Sequence, residues 1–120
     1  MKLKYFELCK TLIKKSTHHQ HHLSCVIVNK NKIISMGWNQ IKTSPKSPHK
    51  YNMLHAEIHA LLGVPYEKLK GCKAYVYRQD KNGNLAISKP CKACETALKL
   101  AGIKKVYYST KNGYTEEKYA

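Results

Sequence analysis

The sequence predicts an α/β protein that forms one domain over residues 1–120. Patterns typical of amphipathic helices alternate with short strand-like runs, which favours helices packed against a sheet. A chain of this length can bury one hydrophobic core but is too short for a separate substrate domain. A substrate pocket would therefore be completed by loops or by a neighbouring subunit.

The N-terminal third is predicted to form a helix followed by a hairpin. Apolar residues recur at helical spacing as far as Ser16, where the helix is expected to end. Residues 24–28 and 32–37 are strand-like, and the polar residues 29–31 between them indicate a turn. Residues 39–52 contain two Ser-Pro pairs and are predicted to be a loop.

The middle of the chain is predicted to form a second helix and another strand. The helix begins near Leu54 and ends near Gly63. The strand covers residues 72–78, where β-branched and aromatic residues alternate with other types. Turn residues 80–83 then lead to a short extended segment over residues 85–88.

The C-terminal part is predicted to form a third helix and two strands. The helix extends from Cys91 to Gly102, with the glycine as its C-cap. A strand follows over residues 106–109, and Asn112-Gly113 is a tight-turn signal. Residues 114–119 are therefore expected to return as an antiparallel edge strand.

The chain is strongly basic, with 22 lysines and arginines against 7 acidic residues and a formal net charge of +15. Such a charge attracts polyanions and keeps nucleic acid among the candidate partners. Yet Arg78 is the only arginine, and arginine is the residue suited to bidentate recognition of phosphates and bases. A coding bias toward lysine explains the excess equally well.

The cysteines indicate a reducing compartment. There are five, an odd number, and two of them form a Cys-x-x-Cys pair. Cys9, Cys25 and Cys72 fall in apolar segments and are predicted to be small buried thiols. No apolar run approaches the ~20 residues that cross a bilayer, and the N-terminus lacks the apolar stretch of a secretion signal. We therefore expect a cytoplasmic protein with no membrane partner.

Two short motifs carry the chemistry, His55-Ala56-Glu57 and Pro90-Cys91-Lys92-Ala93-Cys94. His55, Cys91 and Cys94 are of the residue types that bind zinc, and three ligands with a fourth position left for water are typical of catalytic zinc sites. Both motifs lie at predicted helix starts, so two helix N-termini are expected to meet at one metal. Glu57 is placed to reach the same centre without being a ligand.

This pair of motifs resembles the H-x-E and P-C-x-x-C signature of the zinc-dependent nucleoside, nucleotide and nucleobase deaminases. The resemblance covers residues 24–109 and implies a three-layer α/β/α cytidine deaminase-like fold with a central mixed β-sheet. It implies Zn²⁺ as cofactor, with His55, Cys91 and Cys94 as its ligands and Glu57 as the catalytic proton shuttle. It also implies self-association into a homo-oligomer.

The same resemblance implies substrate contacts from Asn39, Ala56, Pro90 and Tyr108. Asn39 ends the second strand, where many family members place an asparagine that binds sugar or base; the alternative is an ordinary asparagine at the start of a loop. Tyr108 ends a strand at the mouth of the family's pocket, where it would stack on the base or serve only in packing. Pro90 sets the start of the third helix in either case.

Two other interpretations of the motifs are weaker. A thioredoxin-like redox pair of Cys91 and Cys94 would leave His55 and Glu57 without a role. A metalloprotease-like zinc pair of His55 and His59 needs a glutamate directly after the first histidine, and that position is alanine. His59 is therefore predicted to lie in the core or to support the metal ligands.

Two polar segments remain. The histidine-rich residues 18–22 are predicted to be a solvated loop, with adventitious metal binding or a substrate contact as alternatives. Residues 42–50 are expected to rim the active site, where their lysines could neutralise a substrate phosphate.

The leading functional hypothesis is a zinc enzyme that hydrolytically deaminates cytosine in a free nucleoside or nucleotide. The rival is a polynucleotide deaminase acting on cytosine or adenine in single-stranded DNA or RNA, which the charge and the nine tyrosines favour. A third hypothesis is a non-catalytic, zinc-stabilised basic binding domain, against which Glu57 argues. The nucleoside-specific subgroup has Cys-Ala-Glu in place of His55-Ala56-Glu57, so the preference for base, sugar and phosphate stays open.

Overall fold

The computed structural model describes residues 1–16, 21–40 and 55–119. Its helices and strands follow one another in this order: α1 (Leu3–Leu12), a 3₁₀ turn (Ile13–Lys15), β1 (His21–Asn29), β2 (Lys32–Trp38), α2 (Ala56–Leu62), α3 (Tyr66–Leu69), β3 (Lys73–Asp80), β4 (Leu85–Ala86), α4 (Lys92–Leu100), β5 (Lys105–Thr110) and β6 (Gly113–Lys118). The predicted alternation of helices and strands is confirmed.

The strands form a single mixed sheet in the order β2-β1-β3-β5-β6, and the short β4 pairs with β3. β3 and β5 are parallel, whereas the other neighbouring strands are antiparallel. α4 lies between β3 and β5 in the chain, as expected for a connection between parallel strands. The predicted return of the chain as an antiparallel edge strand is confirmed by β6.

Helices cover both faces of the sheet, because the strands bury alternate residues on opposite sides. On one face α1 packs Phe6 and Cys9 against Val26 and Tyr75. On the other face Ala60 of α2 and Leu98 of α4 pack against residues from the same strands. The buried residues of this second face are Cys25, Ile27, Ala56, Ala60, Leu69, Cys72, Ala74, Val76, Leu98, Ala101, Ile103 and Val106. The predicted three-layer α/β/α arrangement is therefore confirmed.

The hairpin between β1 and β2 turns through two residues. Lys30 and Asn31 both have positive φ angles, 48° and 67°. Two consecutive residues in this region are typical of the turn that matches the twist of antiparallel strands, and asparagine tolerates it well. The turn predicted at residues 29–31 is confirmed.

The sheet begins earlier than predicted, and this corrects one assignment. His21 and His22 are not in a solvated loop, because they pair with Asp80 and Gln79 of β3 as the first residues of β1. The partner strand supplies hydrogen bonds that a local polar composition does not reveal. The rest of the histidine-rich segment, residues 18–20, lies outside the described residues, as do the predicted loop over residues 42–50 and Leu54.

Other differences are small. α3 was not predicted, and it begins directly after Pro65, which suits the start of a helix. Cys9, Cys25 and Cys72 are buried free thiols, as predicted. None of the helices in the described part of the chain is long and apolar enough to span a membrane.

Candidate functional site

Two helix N-termini bring the residues of the two motifs together at one edge of the sheet's second face. His55 is the N-cap of α2 and Cys91 is the N-cap of α4. The carbonyl oxygens of these two residues accept the first helical hydrogen bonds, at 2.9 Å from the N–H of His59 and 2.8 Å from that of Glu95. Neither side chain caps its own helix. Both side chains contribute instead to a shared cluster.

The cluster contains one imidazole and two thiols. Nδ1 of His55 lies 3.4 Å from Sγ of Cys94 and 3.8 Å from Sγ of Cys91. The ligand atoms of these three residues all lie within 4.8 Å of one another. Around a tetrahedral zinc ion with bonds of 2.0–2.3 Å, ligand atoms are separated by roughly 3.5–3.8 Å. The donor set and its spacing therefore fit zinc.

Packing between α2 and α4 holds this cluster in place. Ile58 of α2 and Cys94 of α4 are buried against each other, and Leu61, Leu62 and Ala97 pack around them. Cys94 is fully buried, whereas Cys91 is exposed. Cys94 thus fixes the cluster in the core, and Cys91 lies at its open side.

Glu57 lies beside this donor set in the first turn of α2 and is not part of it. Only 2% of its surface is exposed, and its Oε1 atom is buried without a hydrogen-bond partner in the described residues. Burial raises the pKa of this carboxyl to about 7, while hydrogen bonds from its own backbone N–H and from Cys94 act in the opposite direction. A buried carboxyl with a pKa near neutrality can both accept and donate a proton.

The electrostatics of Cys94 also fit a cation. Burial raises the pKa of its thiol far above the usual range, and the negative charges of Glu57 and Cys91 raise it further. A divalent cation among these groups would offset all three effects and stabilise the thiolate. The chemistry of the donor set therefore agrees with its spacing.

A cavity of about 270 Å³ opens beside the cluster. It is lined by His21, Leu23, Asn39, His55, Ala56, Glu57, Arg78, Ile87, Ser88, Lys89 and Cys91. Of the four predicted substrate contacts, Asn39 and Ala56 line it. Pro90 is buried and Tyr108 packs against the core, and neither is among the described residues that line the cavity. All four substrate contacts stay predictions.

Asn39 is already engaged by the protein. Its Oδ1 atom accepts hydrogen bonds from the backbone N–H of Leu23 at 2.9 Å and from the hydroxyl of Ser16 at 2.5 Å. Its Nδ2 atom donates to the carbonyl oxygen of His21 at 2.7 Å. Among the described residues one N–H of the amide has no partner, so Asn39 organises the start of β1 and offers at most one donor to the cavity.

His59 is separate from the metal cluster. Its Nδ1 atom accepts a hydrogen bond from the backbone N–H of Trp38 at 3.1 Å, and its ring lies edge-on to the Trp38 ring at 4.6 Å. It is not among the described residues that could share a metal with His55. These contacts place His59 against the end of β2, which does not agree with a metalloprotease-like pair.

Sequence reasoning missed a buried serine pair that leads the chain to Cys91. The Ser88 hydroxyl donates to the carbonyl oxygen of Val76 at 2.7 Å and accepts from the backbone N–H of Ser109 at 2.8 Å. The Ser109 hydroxyl accepts from the backbone N–H of Arg78 at 3.1 Å. These bonds fix the segment after β4 between β3 and β5. Serine is common in loops, and the sequence contains no signal that pairs residues 21 positions apart.

The basic side of the cavity was not predicted from the sequence. His21, Arg78 and Lys89 line it together with the metal cluster. The place of Arg78 at the cavity depends on strand register, since Arg78 pairs with Leu23 across β1 and β3.

Comparison with known proteins identifies relatives of this arrangement. The model of a family described as the cytidine and deoxycytidylate deaminase zinc-binding region matches residues 1–110. A diaminohydroxyphosphoribosylamino-pyrimidine deaminase from Buchnera aphidicola subsp. Schizaphis graminum is 34% identical over 95 residues. That alignment covers 79% of this chain and 55% of the relative, so the chain spans about half the length of the curated relative that it matches.

Solved structures agree with this result. Cytidine deaminase from Burkholderia pseudomallei superposes with a TM-score of 0.71 and 15% identity over 99% of this chain and 94% of that chain. Acinetobacter baumannii RibD superposes with a TM-score of 0.56 and 26% identity, over 86% of this chain and 26% of that chain. The first likeness confirms the predicted cytidine deaminase-like fold. None of these relatives is named for a polynucleotide, so the comparison does not support the nucleic-acid partner.

Proposed function

The chain belongs to the family of the cytidine and deoxycytidylate deaminase zinc-binding region, and from this premise we propose that it hydrolytically removes the exocyclic amino group of a pyrimidine. The substrate that we propose is cytosine in a free nucleoside or nucleotide, which gives uracil and ammonia. Cytidine, deoxycytidine and their monophosphates are the candidates.

The observation that carries this proposal is the state of Glu57. A carboxyl group that is 98% buried and whose Oε1 has no partner among the described residues costs stability, so a structural role explains it poorly. It lines the same cavity as His55 and Cys91. A purely structural zinc site has no use for such a carboxylate. The non-catalytic binding domain is therefore the weakest of the three hypotheses.

Glu57 would move two protons in the reaction. It accepts one proton at Oε1 from the attacking water and passes it to the ring nitrogen N3, while the oxygen of that water bonds to C4. It then transfers the remaining proton of this oxygen to the amino group, the C4–N bond breaks, and ammonia leaves. Zinc held by His55, Cys91 and Cys94 would supply the Lewis acidity that activates the water.

The family relationship supports a second candidate substrate. The Buchnera relative, at 34% identity, is named for a phosphoribosylamino-pyrimidine that also carries an amino group on its ring. The same proton transfers by Glu57 would serve either pyrimidine. A screen of cytosine, cytidine, deoxycytidine, their monophosphates, this phosphoribosylamino-pyrimidine and single-stranded oligonucleotides for released ammonia separates the candidates.

Self-association is also part of the proposal. α2, α3 and α4 present an apolar surface on which Tyr66 and Leu100 are 68% and 75% exposed. Apolar surface of this kind is typical of subunit interfaces. Sedimentation at two protein concentrations measures the self-association. A protein that is monomeric at micromolar concentration would contradict the proposed oligomer.

The substitution Glu57→Gln tests the proposed mechanism. It keeps the size of the side chain but removes its capacity to carry a proton, so we expect kcat to fall about 10²–10⁴-fold. Zinc content should stay at that of the wild type. Glu95→Gln is the matched control, because Glu95 lies in the first turn of α4 and bonds Lys99 at 3.5 Å outside the cavity. Wild-type turnover by the Glu57 variant would contradict the proposal.

A further inference from the structure

The cavity beside the metal cluster has an uneven distribution of charge. Glu57 is the one acidic residue among the described residues that line it, and it belongs to the catalytic group. Arg78 and Lys89 also line the cavity and carry permanent positive charge. An anionic portion of a substrate would therefore be attracted to the part of the cavity that these two residues line.

The contacts of Arg78 with described residues use only some of its guanidinium N–H donors. One guanidinium nitrogen, NH1, donates to the carbonyl oxygen of Ile87 at 3.3 Å. The other, NH2, lies 2.5 Å from Nδ1 of His21. Its Nε atom is buried without a hydrogen-bond partner in the part of the chain that the structure describes. Because guanidinium has five N–H donors, this side chain retains donors that no described residue uses.

In the contact with His21, the chemistry of the two groups identifies the donor and the acceptor. Guanidinium has no acceptor atom, so Arg78 must be the donor and Nδ1 of His21 the acceptor. His21 thus orients Arg78 without neutralising its charge.

The negative charge of Asp80 acts on Arg78 electrostatically, but the two side chains form no salt bridge among the described residues. None of the salt bridges between described residues includes Arg78. Asp80, two residues further along β3, directs Oδ1 to the backbone N–H groups of Asn82 and Asn84, both at 2.9 Å. Lys89 is partly engaged, with Glu117 at 3.7 Å in an exposed pair. Of the two cations that line the cavity, Arg78 is therefore the one without a salt-bridge partner among the described residues.

We propose that Arg78, oriented by His21, binds the phosphate group of a mononucleotide substrate and makes the enzyme selective for phosphorylated pyrimidines over nucleosides. This inference rests on the proposed function, which leaves nucleoside and nucleotide open. A planar guanidinium matches two phosphate oxygens with charge-assisted hydrogen bonds. A cavity of about 270 Å³ is near the lower end of the range for ligand pockets, which suits one small molecule.

The alternative is that Arg78 only fixes the segment that leads to Cys91, through its bond to Ile87. The two roles differ in substrate dependence. A structural bond affects every substrate equally, whereas a phosphate contact affects only substrates that carry the group. Substrate pairs that differ by the phosphate alone therefore distinguish them.

The test compares deoxycytidine with deoxycytidine monophosphate in three proteins: the wild type, Arg78→Met and Lys81→Met. Methionine keeps an unbranched stem and removes the charge, and Lys81 is a control cation in the exposed turn after β3. We expect the wild type to prefer the monophosphate in kcat/KM. For Arg78→Met the loss on the monophosphate should exceed the loss on the nucleoside by about 30-fold, mainly through KM, as expected for lost hydrogen bonds to a charged group. Lys81→Met should behave like the wild type.

Binding of the products gives a second readout that does not depend on turnover. By titration calorimetry, deoxyuridine monophosphate should bind the wild type more tightly than deoxyuridine, and Arg78→Met should remove most of that difference. Inorganic phosphate should compete with the monophosphate in the wild type. Equal losses of kcat/KM on the two substrates in Arg78→Met would overturn the inference. Equal affinities of the wild type for the two products would overturn it as well.

Failure of the inference can be told apart from failure of the proposed function. Equal kcat/KM for deoxycytidine and its monophosphate overturns the phosphate role of Arg78 but leaves cytosine deamination intact. If only the phosphoribosylamino-pyrimidine reacts, the proposed base is wrong, and a preference for it over its dephosphorylated form that Arg78→Met abolishes supports the inference. If only a single-stranded oligonucleotide reacts, both are overturned.

Discussion

Gly37 of β2 lies directly against Ala56 of α2. A Cβ atom added to Gly37 would come within 2.5 Å of the carbonyl oxygen of Ala56 and within 2.5 Å of the backbone nitrogen of Ala60. Contacts this short involve backbone atoms, which cannot move aside as a flexible side chain can. Ala56 lies between His55 and Glu57, so this close approach of strand and helix positions the metal ligand and the proton shuttle together.

The first prediction is that Gly37→Ala destabilises the protein and weakens zinc binding. The added methyl group must push α2 away from β2, and overpacking of this kind costs typically 1–3 kcal/mol. The midpoint and slope of urea unfolding measure the loss, and a competition assay with a chelating dye measures zinc affinity.

Gly63→Ala is the matched control for this substitution. Gly63 follows α2 with a φ of −96°, and a Cβ atom there would meet no atom within 4 Å. We expect its effect on the free energy of unfolding to stay within about 0.5 kcal/mol. Equal effects of the two substitutions would show that the contact between β2 and α2 is looser than the structure indicates.

The second prediction concerns the metal. Cys94→Ala should reduce bound zinc from one ion per chain to near zero, because two remaining ligands do not form a stable site. The gain in stability on adding zinc, about 2.7 kcal/mol at a free concentration 100 times Kd for the wild type, should disappear as well. Metal analysis of the purified protein and thermal unfolding with and without zinc measure the two effects.

Cys72→Ala serves as the control for the metal prediction. Cys72 is equally buried, and its thiol donates to the carbonyl oxygen of Lys68 at 3.2 Å, but it is not among the three clustered donors. This variant should lose some stability and keep its zinc. Full zinc content in Cys94→Ala would mean that Cys94 is not a ligand.

The third prediction is that Ser109→Ala lowers the free energy of unfolding by about 1–3 kcal/mol. The substitution removes a buried hydroxyl and leaves the backbone N–H of Arg78 without its acceptor. Thr96→Ala is the control, because the Thr96 hydroxyl is exposed and, among the described residues, donates to the carbonyl oxygen of Lys92 at 2.9 Å within α4. The effect of Thr96→Ala on the free energy of unfolding should stay within about 0.5 kcal/mol. Urea unfolding of both variants decides whether the serine pair holds the segment before Cys91.

The metal cluster was predictable because each part has a local signal. His55 and Cys91 each stand directly before a helical pattern, and Cys94 and Glu57 follow within one turn. A helix start can be read from a few neighbouring residues, so the clustering of these side chains follows once the two helices pack together. The order of helices and strands was predictable for the same reason.

The basic side of the cavity was not predictable, because it depends on contacts between distant residues. His21 and Arg78 are 57 positions apart and meet only through the register of β1 on β3. A shift of one residue would move Arg78 to the other face of the sheet. The assignment of His21 to a loop failed for this reason, since its local sequence is polar while its partner strand lies far along the chain.

The fourth prediction concerns Asn39, for which the structure and the family resemblance suggest different roles. Asn39→Ala would leave the N–H of Leu23 and the carbonyl oxygen of His21 without their present partners, in a site where Asn39 is 3% exposed. We expect a loss of at least about 2 kcal/mol in the free energy of unfolding. Amide exchange at Leu23 should become faster, because the start of β1 loosens. Asn82→Ala, in the exposed turn after β3, is the control and should change neither quantity. If Asn39→Ala instead keeps wild-type stability and amide protection while KM rises, its amide serves the substrate and not the strand.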